Sequence, residues 1–394
     1  MDYKVKSNSI FLVILILLYS GCGSYENVNM YQKSNLFDSN EKNLLKASNE
    51  LSKTIDKNEN TMHSKEYNEY PNLVLKKLLK DDKFYEKSEI NFNVKVIKSP
   101  TLNAFALPNG NIYIHSGILA KLENEAQLAL LLGHEMTHII YKHSLKKKEN
   151  LKSSAAVAQV FSIFTMPFDG GLTSLLLLNS SISGYSIESE NEADRLGYEQ
   201  IVKAGYDPLD ASKLFNIMLK DIELNDKKEA YFFSTHPKVV DRIKSSTSII
   251  ESSYKGIKGE TNKKEYLSYV KSILMENIET DLNLRRYKSA EYSIKTLEKE
   301  YGNNLGDVNY LQAELIRLKK DKNSFEEALK NYNLALEKNS SNYKIYKGLG
   351  YLYYQNDKKD EAKEAFKKYL SLNEEAKDKN YIAYYINQCN TKGK

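Results

Sequence analysis

Apolar and polar positions alternate along this chain in distinct rhythms. Phe92, Val94 and Val96 are interleaved with Asn93 and Lys95, a period of two that predicts a half-buried strand closed by Ser99-Pro100. Ala104 to Leu107 and Ile112-Tyr113-Ile114 flank the turn signal Pro108-Asn109-Gly110, which predicts a hairpin. From Asn124 to about Lys146 the rhythm becomes helical, with Asn124 as N-cap, Glu125 in the first turn and Lys146 to Lys148 at the end where the helix dipole favours cations. Leu128, Leu130, Leu131, Leu132, Met136, Ile139 and Ile140 leave that helix almost no polar face, so it belongs in the middle of a domain. Another helix is expected over about Ser189 to Lys203, stopping at Ala204-Gly205, with Asp207-Pro208 opening the next element.

Two further stretches set the organisation. Between Lys152 and Glu188 the only charge is Asp169, but Pro167-Phe168-Asp169-Gly170-Gly171 interrupts the run. Neither half offers the roughly 20 apolar residues a bilayer span needs, and a buried or groove-lining helical hairpin is the expectation. After Pro237 no proline occurs, and an internal repeat appears. Ala328, Tyr332 and Ala335 recur 34 residues later as Ala362, Phe366 and Tyr369, and an earlier copy stands 38 residues before as Ala290, Ile294 and Leu297. With Tyr346, Leu349, Gly350 and Tyr353 ahead of the last copy, the offsets match a tetratricopeptide-type stack of helix pairs. The fold expected is α+β and mostly helical: a domain with a small sheet over residues 67–260, then an α-helical solenoid over residues 264–390.

Composition changes the picture little. With 394 residues and 41% of them hydrophobic, the chain can build two or three cores. Its 57 Lys and Arg against 52 Asp and Glu give +5, a mixed surface, so nucleic acid is not an implied partner. Two cysteines, Cys22 and Cys389, exclude a disulfide framework. The first of them carries information. Lys4 and Lys6 precede nine apolar residues, Ile10 to Leu18, and then Tyr19-Ser20-Gly21-Cys22, the layout of a secretory signal. Because Cys22 follows Ser-Gly directly, the segment resembles a bacterial lipobox. Residues 1–21 would be removed and Cys22 acylated, placing the protein on the periplasmic side of the envelope, on the outer membrane; the alternative is a soluble periplasmic or secreted form. Residues 22–66, rich in Asn, Ser, Lys and Glu, read as a solvated tether with some helix.

The chemistry concentrates in Gly133-His134-Glu135-Met136-Thr137-His138. Four residues apart on a helix, His134 and His138 point their imidazoles the same way, as two corners of a metal tetrahedron require. Glu135, about 100° round the helix, can reach a metal-activated water without binding the metal. Catalytic zinc needs a third protein ligand. His143, carried a further five positions along the same helix, turns about 140° away, and reads as a surface residue or one supporting the ligands from behind. Fifty-two residues beyond His138 stands Glu190-Asn191-Glu192-Ala193-Asp194. Glu190 and Asp194 face the same way, so that one can ligate while the other accepts a hydrogen bond from a ligand histidine.

Taken in order, Asn103-Ala104-Phe105-Ala106-Leu107-Pro108-Asn109-Gly110, the His-Glu-x-x-His run, Glu190-x-x-Ala193-Asp194, and Ser234-Thr235-His236-Pro237 followed by Arg242-Ile243 resemble the zinc metallopeptidases of the HtpX and CAAX-prenyl-protease type. The repeats and the export signal make the chain similar to that family's BepA-like periplasmic branch. The resemblance implies a gluzincin-like domain, one zinc ion held by His134, His138 and Glu190, Glu135 as general base and acid, and Asp194 supporting the ligands. It gives His236 a place near the metal or the oxyanion, and Arg242 a place in the catalytic set. It implies an endopeptidase acting on misfolded or stalled exported and outer-membrane proteins, with the repeats choosing clients or docking to outer-membrane assembly machinery. A substrate could lie extended along the strand Ala104, Phe105, Ala106 and Leu107, adding main-chain hydrogen bonds. The competing reading is a chaperone or adaptor in which the repeats act and proteolysis is gated or low. A peptidase for lipidated peptides is a third, for which no membrane chamber is encoded.

Overall fold

The computed structural model describes residues 35–80, 90–150, 185–225, 239–302, 306–320 and 324–390. Cys22 with its signal segment, most of the 152–188 hairpin and the His236-Pro237 loop lie outside the described residues. The chain divides into two compact units, 1–42 and 43–394. The sheet, the histidine cluster and the repeats all belong to the second.

Four strands form one sheet in the order β1 (Thr61–Met62), β2 (Asn93–Ile97), β4 (Asn111–His115), β3 (Ala104–Ala106). The expected hairpin is present, β3 pairing antiparallel with β4 so that Phe105 faces Tyr113. At its turn Gly110 takes φ +95°, and a Cβ there would lie 2.4 Å from the Asn91 carbonyl oxygen, so only glycine fits. The strand expected at 92–96 runs parallel to β4, Val94 beside Ile112. Its other edge is covered mainly by a helix. On α2 (Lys65–Leu79) the Asn68 side chain accepts from Val96 N at 2.9 Å, and Asn72 accepts from Val94 N at 2.9 Å while donating to Val94 O at 2.8 Å. Two asparagines one turn apart thereby supply most of what a neighbouring strand would.

The stretch 43–66, expected to be tether, is part of the fold. Helix α1 (Asn35–Asp56) buries Leu51 and Ile55 against Ile97, Leu107 and Tyr113, and β1 follows it into the sheet. Its polar composition hid this, because two apolar residues one turn apart suffice to seat a helix when the outer face is solvated.

Behind the sheet run α3 (Ser116–Leu119) and the central helix α4 (Glu125–Ile140), all sixteen of whose residues are buried. Asn124 caps α4 by accepting from Gln127 N at 3.1 Å. Glu125 beside it accepts from Tyr206 (2.7 Å), from Asn262 (2.7 Å) and from Tyr70. The helix expected to continue to Lys146 instead breaks. Lys142 turns left-handed at φ 51°, and α5 (His143–Asn150) sets off anew.

Helix α6 (Ile187–Lys203), capped by Ser186, crosses α4 where Gly133 and Gly197 meet. A Cβ on Gly197 would stand 3.2 Å from His134 N, and one on Gly133 would stand 3.3 Å from Gly197 Cα. Helices α7 (Pro208–Ala211), α8 (Lys213–Leu224) and α9 (Val239–Ile249) complete this half.

Seven helices follow: α10 (Lys263–Asn283), α11 (Tyr287–Tyr301), α12 (Gly306–Lys319), α13 (Ser324–Lys338), α14 (Tyr343–Gln355), α15 (Lys359–Leu372) and α16 (Lys379–Asn390). They make an extended helical region of repeat type. All nine residues of the repeat trios, such as Ala328, Tyr332 and Ala335, are buried, each trio on the second helix of a pair. No helix among the described residues is long and apolar enough to cross a membrane.

The boundary expected near residue 262 is not a break in the core. One apolar cluster runs from Val74 through Leu128 and Phe215 to Tyr266, Ile273, Ile294 and Leu315. A buried ionic knot crosses the same seam. Lys121 pairs with Asp221 at 2.8 Å and donates to Ser289 Oγ at 2.7 Å, while Ser289 donates to Asp281 at 2.8 Å. Arg286 lies 3.3 Å from Asp281 and donates to Pro100 O at 3.1 Å.

Candidate metal centre

At the α4–α6 crossing the imidazoles of His134 and His138 turn their Nε2 atoms toward one another, 3.0 Å apart. Glu190, one turn into α6, places Oε2 at 3.5 Å from His134 Nε2 and Oε1 at 3.6 Å from His138 Nε2. All three residues are buried. Zinc bonds of about 2.0–2.1 Å at tetrahedral angles set neighbouring donor atoms roughly 3.3 Å apart, so the observed separations fit one ion and leave a fourth corner. The glycine crossing makes this possible: with side chains at 133 and 197 the helices would stand farther apart, and Glu190 with them.

The protonation states favour a cation there. Arg242, arriving on α9, donates Nε to Asp194 Oδ2 at 3.0 Å and also bonds Oδ1 through Nη2. Burial would raise Asp194, but the Arg242 charge and the His134 hydrogen bond hold its carboxyl well below the usual range. His134 Nδ1 lies 2.9 Å from Asp194 Oδ1 and 3.1 Å from Arg242 Nη2, and with the ionised Asp194 as its acceptor it carries the hydrogen. Its Nε2 is then a bare lone pair. Burial first, and the Arg242 charge second, push the His134 pKa down to about 4, so at neutral pH the ring stays uncharged. A neutral His134 with Nε2 turned toward Glu190 is the form in which an imidazole can bind a divalent ion.

Several placements differ from expectation or were not foreseen. His143 is not a surface residue. The break at Lys142 swings it back so that its Nδ1 lies 2.8 Å from His138 Nδ1 and its Nε2 2.9 Å from Glu192 Oε2. The turn of about 140° assumed an unbroken helix. Arg242 sits behind His134, on the Nδ1 side, with its guanidinium 4.7 Å from the Phe215 ring. Tyr185 stacks on His138 with ring centroids 3.9 Å apart and 14° between planes, its hydroxyl 3.0 Å from Ser144 Oγ. Burial, with Glu135 and Glu190 nearby, raises that phenol well above its usual value and keeps it neutral. No spacing in the sequence marks Tyr185. Gly197 did carry a signal, since a glycine inside a helix costs about 1 kcal/mol against alanine and points to close packing. Glu135 is buried on α4 beside these ligands. Of the proposed substrate strand, Ala104, Ala106 and Leu107 are buried and Phe105 is half-buried against Tyr113. Strand β3 is one of the sheet's two outer strands among the described residues, β1 being the other.

Part of the chain is similar to known proteins. The mitochondrial metalloendopeptidase OMA1 of Schizosaccharomyces pombe is 31% identical over 157 residues, covering 40% of this chain and 46% of that protein. The OMA1 metalloendopeptidase of Bos taurus is 33% identical over 165 residues, 38% of this chain and 31% of its own. The beta-barrel assembly-enhancing protease of Escherichia coli (strain K12) is 26% identical over 155 residues, 37% and 32%. In each case the matched stretch spans under half the length of the relative. Residues 69–250, which carry both histidines, Glu135, Glu190, Asp194 and Arg242, match the model of peptidase family M48, and over that stretch the fold and its His-His-Glu cluster are those of an M48-like metallopeptidase.

Proposed function

We propose that this chain is a zinc metalloendopeptidase of envelope protein quality control. It hydrolyses peptide bonds in misfolded or stalled exported and outer-membrane proteins, and it is held to the membrane by acylated Cys22. The observation that carries the reading is the convergence of His134 Nε2, His138 Nε2 and Glu190 within one tetrahedron's span, with Glu135 next to the first ligand on the same helix. His134, His138 and Glu190 would hold the ion, which when bound lowers the pKa of a water toward about 7 and polarises the scissile carbonyl. Glu135 takes the proton from the attacking water and passes it to the departing amine. Asp194 and Arg242 hold His134 in the tautomer that keeps Nε2 open. The outer strand β3, packed in front of α4, offers an extended client main-chain partners, a mode of binding tolerant of sequence. The family resemblance gives His236 a role at the metal or the oxyanion. The repeats, read as tetratricopeptide units, select clients or dock to assembly machinery.

The test is metal analysis with casein cleavage. Wild type is expected to hold one zinc per chain and to cleave, with cleavage abolished by chelator. Glu135→Gln keeps the zinc and loses turnover at least ~10²-fold, the loss of a positioned general base. Cleavage that survives both treatments refutes the reading.

A further inference from the structure

We infer that His143 and Glu192 form a second orienting arm of the metal centre, so that α6 fixes both histidine ligands as well as supplying the third. The inference rests on the metallopeptidase reading. A carboxylate only accepts, so His143 Nε2, 2.9 Å from Glu192 Oε2, carries a hydrogen. The 2.8 Å contact between His143 Nδ1 and His138 Nδ1 needs one hydrogen, and a ligand role for His138 decides where it lies. If His143 supplied it, the neutral His138 would bear its own hydrogen on Nε2 and could not bind metal. With a metal on His138 Nε2, His138 is therefore the donor through Nδ1 and His143 the acceptor.

The arm has three physical supports. His143 is buried and its acceptor, Glu192, is two residues from Glu190 on the same helix, so ligand and anchor share one rigid body. The left-handed turn at Lys142, φ 51°, brings the first residue of α5 back over the last turn of α4. The next residue, Ser144, holds the hydroxyl of Tyr185, whose ring covers the face of His138, so edge and face of one imidazole are both fixed from α5. The arm parallels Asp194 on His134, with one imidazole inserted. His143 and Glu192 touch no reacting atom in this arrangement. They are positioning residues.

The experiment compares wild type with His143→Phe, His143→Gln and Glu192→Ala. Zinc affinity is measured by competition with a chromophoric chelator. His143→Phe keeps volume and removes the acceptor. Its zinc affinity is expected to fall about 10–100-fold, the usual effect of losing an orienting partner. His143→Gln, which can accept from His138 and donate to Glu192, is expected to recover most of the affinity, a rescue that mere space-filling would not give. Glu192→Ala, at a partly exposed side chain, is expected to weaken zinc in the same direction and keeps the test open should His143→Phe fail to fold. Glu192→Ala and His143→Phe binding zinc as tightly as wild type, or His143→Gln binding no better than His143→Phe, overturns the arm and leaves the protease reading standing. A wild type that holds no zinc overturns both.

Discussion

Replacing Arg242 by methionine tests how the centre is held together. The guanidinium and the Asp194 carboxylate are 5% and 3% exposed, joined by two hydrogen bonds, so each is the other's main compensation for leaving water. In the Arg242→Met variant the Asp194 carboxylate stays buried with only the neutral His134 as partner. Breaking one side of a buried pair costs about 3–5 kcal/mol, a large part of the roughly 5–15 kcal/mol that folds a domain. The stranded Asp194 relieves the strain by taking a proton, which reverses its role. It then donates to His134 Nδ1, the ring's hydrogen moves to Nε2, and zinc affinity falls about 10–100-fold. Asp194→Asn paired with Arg242→Met removes both charges, and the two costs are expected to fall short of additivity by about 1–3 kcal/mol. Urea unfolding of the single and double variants in chelator, followed by circular dichroism, measures the stability terms, and chelator competition measures the metal. Single variants that lose under about 1 kcal/mol, or costs that simply add, would refute the argument that this pair sets the tautomer.

Other features lead to outcomes of their own. Gly197→Val puts branched bulk against His134 N, already 3.2 Å from where a Cβ would sit, and is expected to cost about 1–3 kcal/mol by overpacking and to weaken zinc by moving Glu190, read from Tm and metal competition. A chain ended after Asn262 loses Tyr266, Ile273, Leu274 and Ile278 from the shared core and is expected to be insoluble, whereas one ended after Lys320 keeps that cluster and stays folded by circular dichroism. His134 and His115 are each pushed by burial from 6.5 to about 4. In metal-free protein the unfolded chain therefore binds these protons at higher pH than the folded one. Stability is fully present above pH 6.5 and falls as pH drops toward 4, by up to about 3 kcal/mol per histidine. A Tm that stays constant across that window would contradict their burial as neutral rings.

Much of the site was legible because its signals are local. The capped apolar helix, two imidazoles four residues apart and two carboxylates four residues apart are statements about 3.6-residue geometry, and the structure brings them together. What escaped depended on contacts between segments. The parallel pairing of β2 with β4 and the asparagines that close its edge need a partner no period reveals. His143 stood open between the surface and a place behind the ligands, and takes the second, because one left-handed residue resets the angular count. Residues 43–66 looked like tether because a helix seated by Leu51 and Ile55 can be polar elsewhere. The boundary near 262 looked natural because repeats announce themselves by spacing, and spacing says nothing about the neighbour on which the first pair rests.

Three acidic residues within five positions of α6 touch the site: Glu190 at the ion's place, Glu192 through His143, Asp194 on His134. A slide of that single cylinder by an ångström or two would withdraw all three together. The carboxylates that would hold and orient a metal would then be lost in one motion about the glycine crossing of α4 and α6.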